Sequence, residues 1–251
     1  MPFSMGYQSI IQMRERTIGT QSNPGTDVGA SFAPRIVFDM TGETFPPELI
    51  KRRLWLEYQY ASSNPSNPLD CIHALINELA DPNLDLQRFL QDAATTMSER
   101  LCIHEVTIGL RDSDGVFRYK VMAGLEDSEW DAHQKLSYTL DQFDNQSLYK
   151  HKQIGKYTRL YLAEDNPYME GEEETYSKPL MLQSSRRSLE DTIEGDYLDI
   201  YILGHNDELL GWMEISGMKN GKFPSSETIK AVELLASVIG VVLKRPMPKV
   251  A

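Results

Sequence analysis

Apolar residues recur at helical spacing twice before any strand is reached. Leu69, Ile72, Leu75, Ile76 and Leu79 form one stripe, the recurrence expected of a helix with a single face to bury. Asn67 is placed to cap this helix, Pro68 suits its first turn, and Asp70 complements the positive end of its dipole. Asp81-Pro82 ends it. Leu86, Leu90, Ala93, Met97 and Leu101 mark a second helix. The period then changes to two. Val106, Ile108 and Leu110 alternate with Thr107, Gly109 and Arg111, as in a half-buried strand. Asp112 to Gly115 supplies residues that tolerate positive φ in a hairpin turn, and the returning strand puts Phe117, Tyr119 and Val121 on one face. A second hairpin pairs Leu198, Ile200 and Ile202 with a return from Leu209 to Ser216, across a turn at Gly204 to Asp207. Ser225 or Ser226 then caps a closing helix that carries Glu227 in its first turn. Lys244 and Arg245 stand at its negative end, with Pro246 beyond.

The pattern is less regular elsewhere. Leu136 to Leu140 predicts a short strand, Asp141 to His151 a short polar helix, Tyr157 to Leu162 a strand, and Lys178 to Gln183 another. Glu170 to Glu174 reads as a solvated acidic loop. Residues 1–35 lack apolar periodicity and predict a flexible tail, because such a segment buries too little apolar surface to offset its ordering entropy. Residues 36–68 form a short docking segment and linker, with a helix over Leu49 to Tyr60 whose Trp55 and Tyr58 are set to pack on a neighbour. Residues 246–251 are a short C-terminal tail. In the closing helix, Ile229, Val232, Ala236, Ile239 and Leu243 form a seam, and Leu234, Leu235, Val238, Val241 and Val242 widen it. A helix this apolar has two surfaces to cover. The seam is the expected dimer interface.

Composition narrows the function classes. The chain has 251 residues, 41% hydrophobic and 25% charged, the balance of a folded globular protein. Its formal charge of -12 argues against nucleic acid and anionic membrane as partners. Two cysteines make no disulfide framework and, with no signal peptide, point to the cytoplasm. The apolar run from Leu234 to Leu243 is far shorter than the roughly 20 residues that span a bilayer. No nucleophile elbow, Walker loop, zincin motif or dinucleotide fingerprint is present, so no catalytic residue and no enzyme is expected.

The order of these elements resembles the GAF domain family over roughly residues 69–245. Gly204-His-Asn-Asp-Glu-Leu-Leu-Gly-Trp-Met-Glu-Ile-Ser216 is similar to the family's late hairpin. Asn220 to Glu227 resembles the approach to its closing helix, and Arg159 to Pro167 its mid-domain strand. The resemblance implies an α+β fold, GAF/PAS-like: a central antiparallel sheet of about six strands, flanking N- and C-terminal helices, and a ligand pocket on the face opposite the helices. It also implies a homodimer that relays pocket occupancy through terminal helices. Asn220, Lys222, Phe223 and Glu227 match part of the cyclic-nucleotide signature, but Thr228 replaces its second acid, which weighs against that ligand. Cys71 and Cys102 lie outside the middle segment where bilin-binding members carry their cysteine, and two cysteines are fewer than the methionine-sulfoxide-reducing members use.

The expected function is a cytosolic sensory or regulatory protein. It would bind a small molecule non-covalently and signal to a separate output protein, since no output domain follows residue 251. The alternative is a ligand-free dimerisation or protein-interaction module. Tyr119, Arg159, Tyr161, Asp165 and Trp212 are the expected ligand-binding residues; ligand identity and cofactor are left unknown. Cys-Ile-His occurs twice, at Cys71 and Cys102. Residues i and i+2 on a helix point about 200° apart, so Cys71 and His73 cannot share a metal there, whereas Cys102 and His104 would share a face if extended. Ordinary thiols and histidines are the simpler reading, and no metal is expected. The basic island Ser184 to Ser188 reads either as a solvated loop or as an anion grip through Arg186 or Arg187. The run Lys150, Lys152, Lys156 and Arg159 reads either as one exposed face or as part of the pocket mouth.

Overall fold

A computed structural model describes residues 47–62, 67–145, 147–165 and 168–244. The two predicted tails and residues 36–46 and 63–66 of the docking segment lie outside them. Helix α1 spans Pro47–Ser62, and every one of its described side chains is exposed. Helices α2 (Pro68–Glu78) and α3 (Leu86–Glu99) follow. Asn67 caps α2 by accepting from the Leu69 backbone N–H at 3.1 Å, and Asp85 caps α3 through that of Arg88.

Strands β1 (Val106–Arg111) and β2 (Phe117–Ala123) form the first hairpin. After α4 (Asp127–Lys135) and α5 (Leu140–Asp144) come the short strands β3 (Lys152–Gln153) and β4 (Thr158–Tyr161), then α6 (Lys178–Gln183). The second hairpin is β5 (Tyr197–Leu203) with β6 (Leu209–Ile215), and α7 spans Ser226–Leu243. The six strands form one antiparallel sheet in the order β2-β1-β6-β5-β4-β3. The fold is α+β, a six-stranded antiparallel sheet with flanking helices, as the resemblance to the GAF family implies.

One face of the sheet makes the core. Val106, Ile108, Leu198, Ile200, Met213 and Ile215 are fully buried there against Ile72 and Leu75 of α2, Phe89, Leu90 and Met97 of α3, and Leu235 of α7. This packing corrects the seam expected at a dimer interface. Val232, Ala236 and Ile239 are wholly buried in that core, and Ile229 and Leu243 pack at its edge. The sheet needs an apolar cover, and the seam supplies it. Leu234 and Val241 are the large apolar residues of α7 left exposed.

The middle of the chain departs from the pattern. Lys178 to Gln183, read as a strand, is a helix with Pro179 in its first turn, the position where proline's missing N–H is harmless. The strand expected at Leu136–Leu140 reduces to a single bridge between Tyr138 and Phe117, and the helix expected over Asp141–His151 is confined to α5. Helix α4 has no predicted counterpart, because its sequence is nearly all polar. No helix of the described residues is long and apolar enough to cross a membrane.

Candidate ligand site

The second face of the sheet is polar and aromatic. One rung crosses it from strand to strand: Thr107 on β1 lies opposite Glu214 on β6, Glu214 opposite Asp199 on β5, Asp199 opposite Arg159 on β4, and Arg159 opposite Gln153 on β3. Period-two alternation fixes this face, since the neighbours Val106, Ile108, Leu198, Ile200, Met213 and Ile215 all point into the core. Flanking rungs bring in aromatic rings, Tyr161 opposite Tyr197 and Trp212 between Gly109 and Tyr201. A Cβ on Gly109 would stand 2.1 Å from the Trp212 ring. That glycine is the space into which the indole folds.

Tyr119, Tyr138, Tyr149, Tyr161, Tyr168, Tyr197, Phe143 and Trp212 line an inner cavity of about 50 Å³, together with Gln142, Thr175 and the carboxyl groups of Glu172, Asp199 and Glu214. Tyr161 and Tyr197 stack with centroids 4.3 Å apart, and the edges of Tyr119 and Tyr138 meet Trp212 at 4.9 and 5.7 Å. Tyrosine hydroxyls hold two of the carboxylates. Tyr138 and Tyr149 donate to Glu172 at 3.1 and 2.7 Å, and Tyr119 donates to Glu214 at 3.0 Å. Asp199 differs. It is only 6% exposed, and its Oδ1 has no hydrogen-bond partner among the described residues.

Electrostatics follow from this crowding. Burial pushes the Glu214 carboxyl up to about 7, with repulsion from Glu172 adding to it and the Tyr119 hydroxyl opposing. Burial and then the adjacent Glu214 push Asp199 well above the usual carboxylate range, against hydrogen bonding from Tyr161 and attraction from Arg159. Burial likewise raises Glu105 to about 7, with His104 opposing. No Lys, Arg or His lines the inner cavity among the described residues.

Tyr168, Thr175, Tyr197 and Glu214 also border an outer cleft of about 840 Å³. Its walls carry Glu105, Glu129, His133, Glu194, Arg187 and Lys222. Arg186 ties one wall together. It donates to both oxygens of Glu164 and both oxygens of Asp196, each at 2.7 Å, and to the Asp191 carbonyl at 2.6 Å. Asp196 also accepts from the Ala163 and Ile193 backbone N–H groups. Lys222 pairs with Asp191 at 2.6 Å and holds that carboxyl well below its usual range.

Of the five residues expected to bind a ligand, the structure brings Tyr119, Tyr161 and Trp212 together around the inner cavity. Arg159 shares their sheet face, but its guanidinium lies over the Tyr201 ring at 4.5 Å and donates to the Phe143 carbonyl. Asp165 stands apart, in a turn after β4, where it pairs with Lys150. The Glu170–Glu174 loop is not wholly solvated, because Glu172 is buried beneath Tyr138 and Tyr149. Within the basic island, Arg186 is a structural clamp and Arg187 lines the cleft. Cys102 is exposed at φ 57° rather than extended, and His104 pairs with Glu105. The described residues contain no group of three His, Cys, Asp or Glu able to hold a metal ion.

Sequence reasoning missed Asp199, Glu214, Glu172 and four of the tyrosines. A signal was present for the first two. Each is an acid flanked on both sides by core residues of a strand, Leu198 and Ile200 for one, Met213 and Ile215 for the other.

No family model and no curated protein matches the chain. Solved structures similar in fold include the GAF domain of a phosphoenolpyruvate-protein phosphotransferase from Acinetobacter, 12% identical, with a TM-score of 0.44 over 70% of this chain and 91% of that one. The corresponding domain from Coxiella burnetii is 16% identical, with a TM-score of 0.43 over 70% and 94%. A phycoerythrobilin-bound GAF domain from a cyanobacterial phytochrome is 13% identical, with a TM-score of 0.46 over 70% and 94%. At such identities nothing about ligand or partner transfers to this chain.

Proposed function

We propose that residues 69–244 form a sensory or regulatory domain that holds a small molecule non-covalently between Tyr119, Tyr161, Tyr197 and Trp212. The observation that carries this reading is the buried carboxyl of Asp199, which has one oxygen unpartnered among the described residues and lines a cavity that shares Tyr168, Thr175, Tyr197 and Glu214 with the outer cleft. A buried polar atom without a partner costs stability, and a bound molecule offsets that cost.

A polar link between the sheet and the closing helix supports a relay. Thr158 of β4 donates to Glu233 of α7 at 2.6 Å, both side chains being buried, and Lys230 pairs with the same carboxylate. Strand β4 also carries Tyr161, so a ligand that shifts this wall pulls on the closing helix. Only a molecule that prefers one of the two positions moves the equilibrium. Native mass spectrometry of gently purified protein tests the reading. The expected result is a discrete adduct that a Trp212→Ala variant releases. A wild-type protein free of adducts and unresponsive to any small molecule overturns it.

A second reading rests on α1, which exposes Leu54, Trp55, Leu56, Tyr58 and Tyr60 at 50% or more of their surface. We infer that this helix is a contact surface and that its partner is a second copy of the chain.

A further inference from the structure

The inner cavity has the chemistry of a cation site. Three carboxyl groups converge on it, from β5, β6 and the loop before α6, and no basic side chain lines it among the described residues. Its remaining surface is almost wholly aromatic, six tyrosines with Phe143 and Trp212, and ring faces attract cations. An acidic cluster alone would mean little. Here, however, the two buried side-chain atoms without a hydrogen-bond partner among the described residues are Thr107 Oγ1 and Asp199 Oδ1, and both stand on the rung that Glu214 joins.

We infer that the inner cavity takes the ammonium head of an organic cation, with Asp199 and Glu214 as its counter-ions and the rings of Tyr161, Tyr197 and Trp212 as its walls. This deepens the reading of a small-molecule site and rests on it. Size sets the head group. About 50 Å³ is room for roughly four water-sized groups, enough for an ammonium with a few carbons. The rest of the ligand extends toward the outer cleft, whose wall carries Glu105, Glu129 and Glu194 beside the basic Arg187 and Lys222. The three carboxyl groups are not among any set of His, Cys, Asp or Glu grouped to hold a metal ion among the described residues, so the inferred cation is organic. Arg159, the basic side chain nearest in register to Asp199, is engaged by the Phe143 carbonyl and the Tyr201 ring.

Binding of such a cation is pH-dependent in a defined direction. The titratable groups that interact with Asp199 and Glu214 are Glu105 before β1, Tyr119 on β2, Tyr138 after α4, Tyr149 after α5, Arg159 and Tyr161 on β4, Tyr168 and Glu172 before α6, and Tyr197 on β5. Among the acids, Glu214 loses its proton near 7. A permanent cation favours the ionised carboxylates, so its binding releases protons and tightens from about pH 6 to about pH 8.

The test is calorimetric titration of the full chain with choline, putrescine and spermidine, with succinate as the anionic comparator. Saturable binding of at least one cation is expected. Asp199→Asn and Glu214→Gln, which keep the side-chain shapes, should each weaken it by about tenfold or more, with circular dichroism and thermal unfolding confirming that both variants fold. Choline binding, where present, should tighten with pH as above. Failure of all three cations at millimolar concentration overturns the inference, as does binding that both variants leave intact. A neutral or anionic molecule found by native mass spectrometry and released by Trp212→Ala also overturns it, while leaving the small-molecule reading standing. If neither cation nor co-purified molecule binds, both readings fall.

Discussion

Asp199 and Glu214 lie side by side on neighbouring strands, a placement that repels whenever both are ionised. Their folded pKa values are raised, so the folded state keeps protons that the unfolded chain has already released. The stability linked to those protons is present in the ordinary carboxylate range and is lost as pH rises through about 7. Thermal unfolding of the ligand-free protein should therefore show a midpoint that falls between about pH 5.5 and about pH 8. Asp199→Asn removes one repelling charge and should raise the midpoint at the higher pH by about 2–4 °C, the equivalent of about 1 kcal/mol in a domain this size. A midpoint that rises with pH would refute the assignment. Gly109 is the other residue on which the site depends. Gly109→Ala drives a methyl into the Trp212 ring and should cost about 1–3 kcal/mol or more. The accompanying change in tryptophan fluorescence would place the damage at the indole.

At the level of elements, the polar link from β4 to α7 separates relay from binding. Thr158→Val keeps the side-chain volume but leaves the buried Glu233 to Lys230 alone, at a cost of about 1–3 kcal/mol. Hydrogen exchange should then show faster opening of α7, and ligand should no longer slow it, although the cavity-lining residues are unchanged. If ligand still protects α7 fully, the link is not the route. The outer wall has its own test. Arg186→Ala leaves the buried Asp196 without its guanidinium and should cost about 3–5 kcal/mol, read as a lower urea midpoint. Among the elements, α7 and the second hairpin were legible in the sequence, because caps, turns and apolar periods agree there. Lys178 to Gln183 was not. Its apolar run, the four residues Pro179 to Leu182, is too short to carry a period that separates strand from helix. Glu172 was hidden for another reason: its burial comes from Tyr138 and Tyr149, more than twenty residues away in the chain. Asp199 could be read as an acid between two core residues, but only the sheet order places it against Glu214.

For the molecule as a whole, the open question is what covers α1. Helices in proteins draw most of their stability from packing an apolar face, yet Leu49, Ile50, Leu54, Trp55, Leu56, Tyr58 and Tyr60 of α1 are all at least 46% exposed. The ion pairs Lys51–Glu48 and Arg53–Glu57 each add only a few tenths of a kcal/mol, too little to replace a packed face. On the proposal of a second copy, the partner would bring the same apolar surface, and the contact would be self-complementary about a twofold axis. The core seam of α7 is already occupied by the sheet, so the proposed contact is built on α1. Sedimentation velocity should show a dimer at micromolar concentration. Leu54→Glu with Trp55→Glu should convert it to a monomer with the thermal midpoint of the sheet domain little changed, because neither residue belongs to the core. A wild-type monomer at all concentrations, or a dimer indifferent to both substitutions, would assign that surface to something other than self-association.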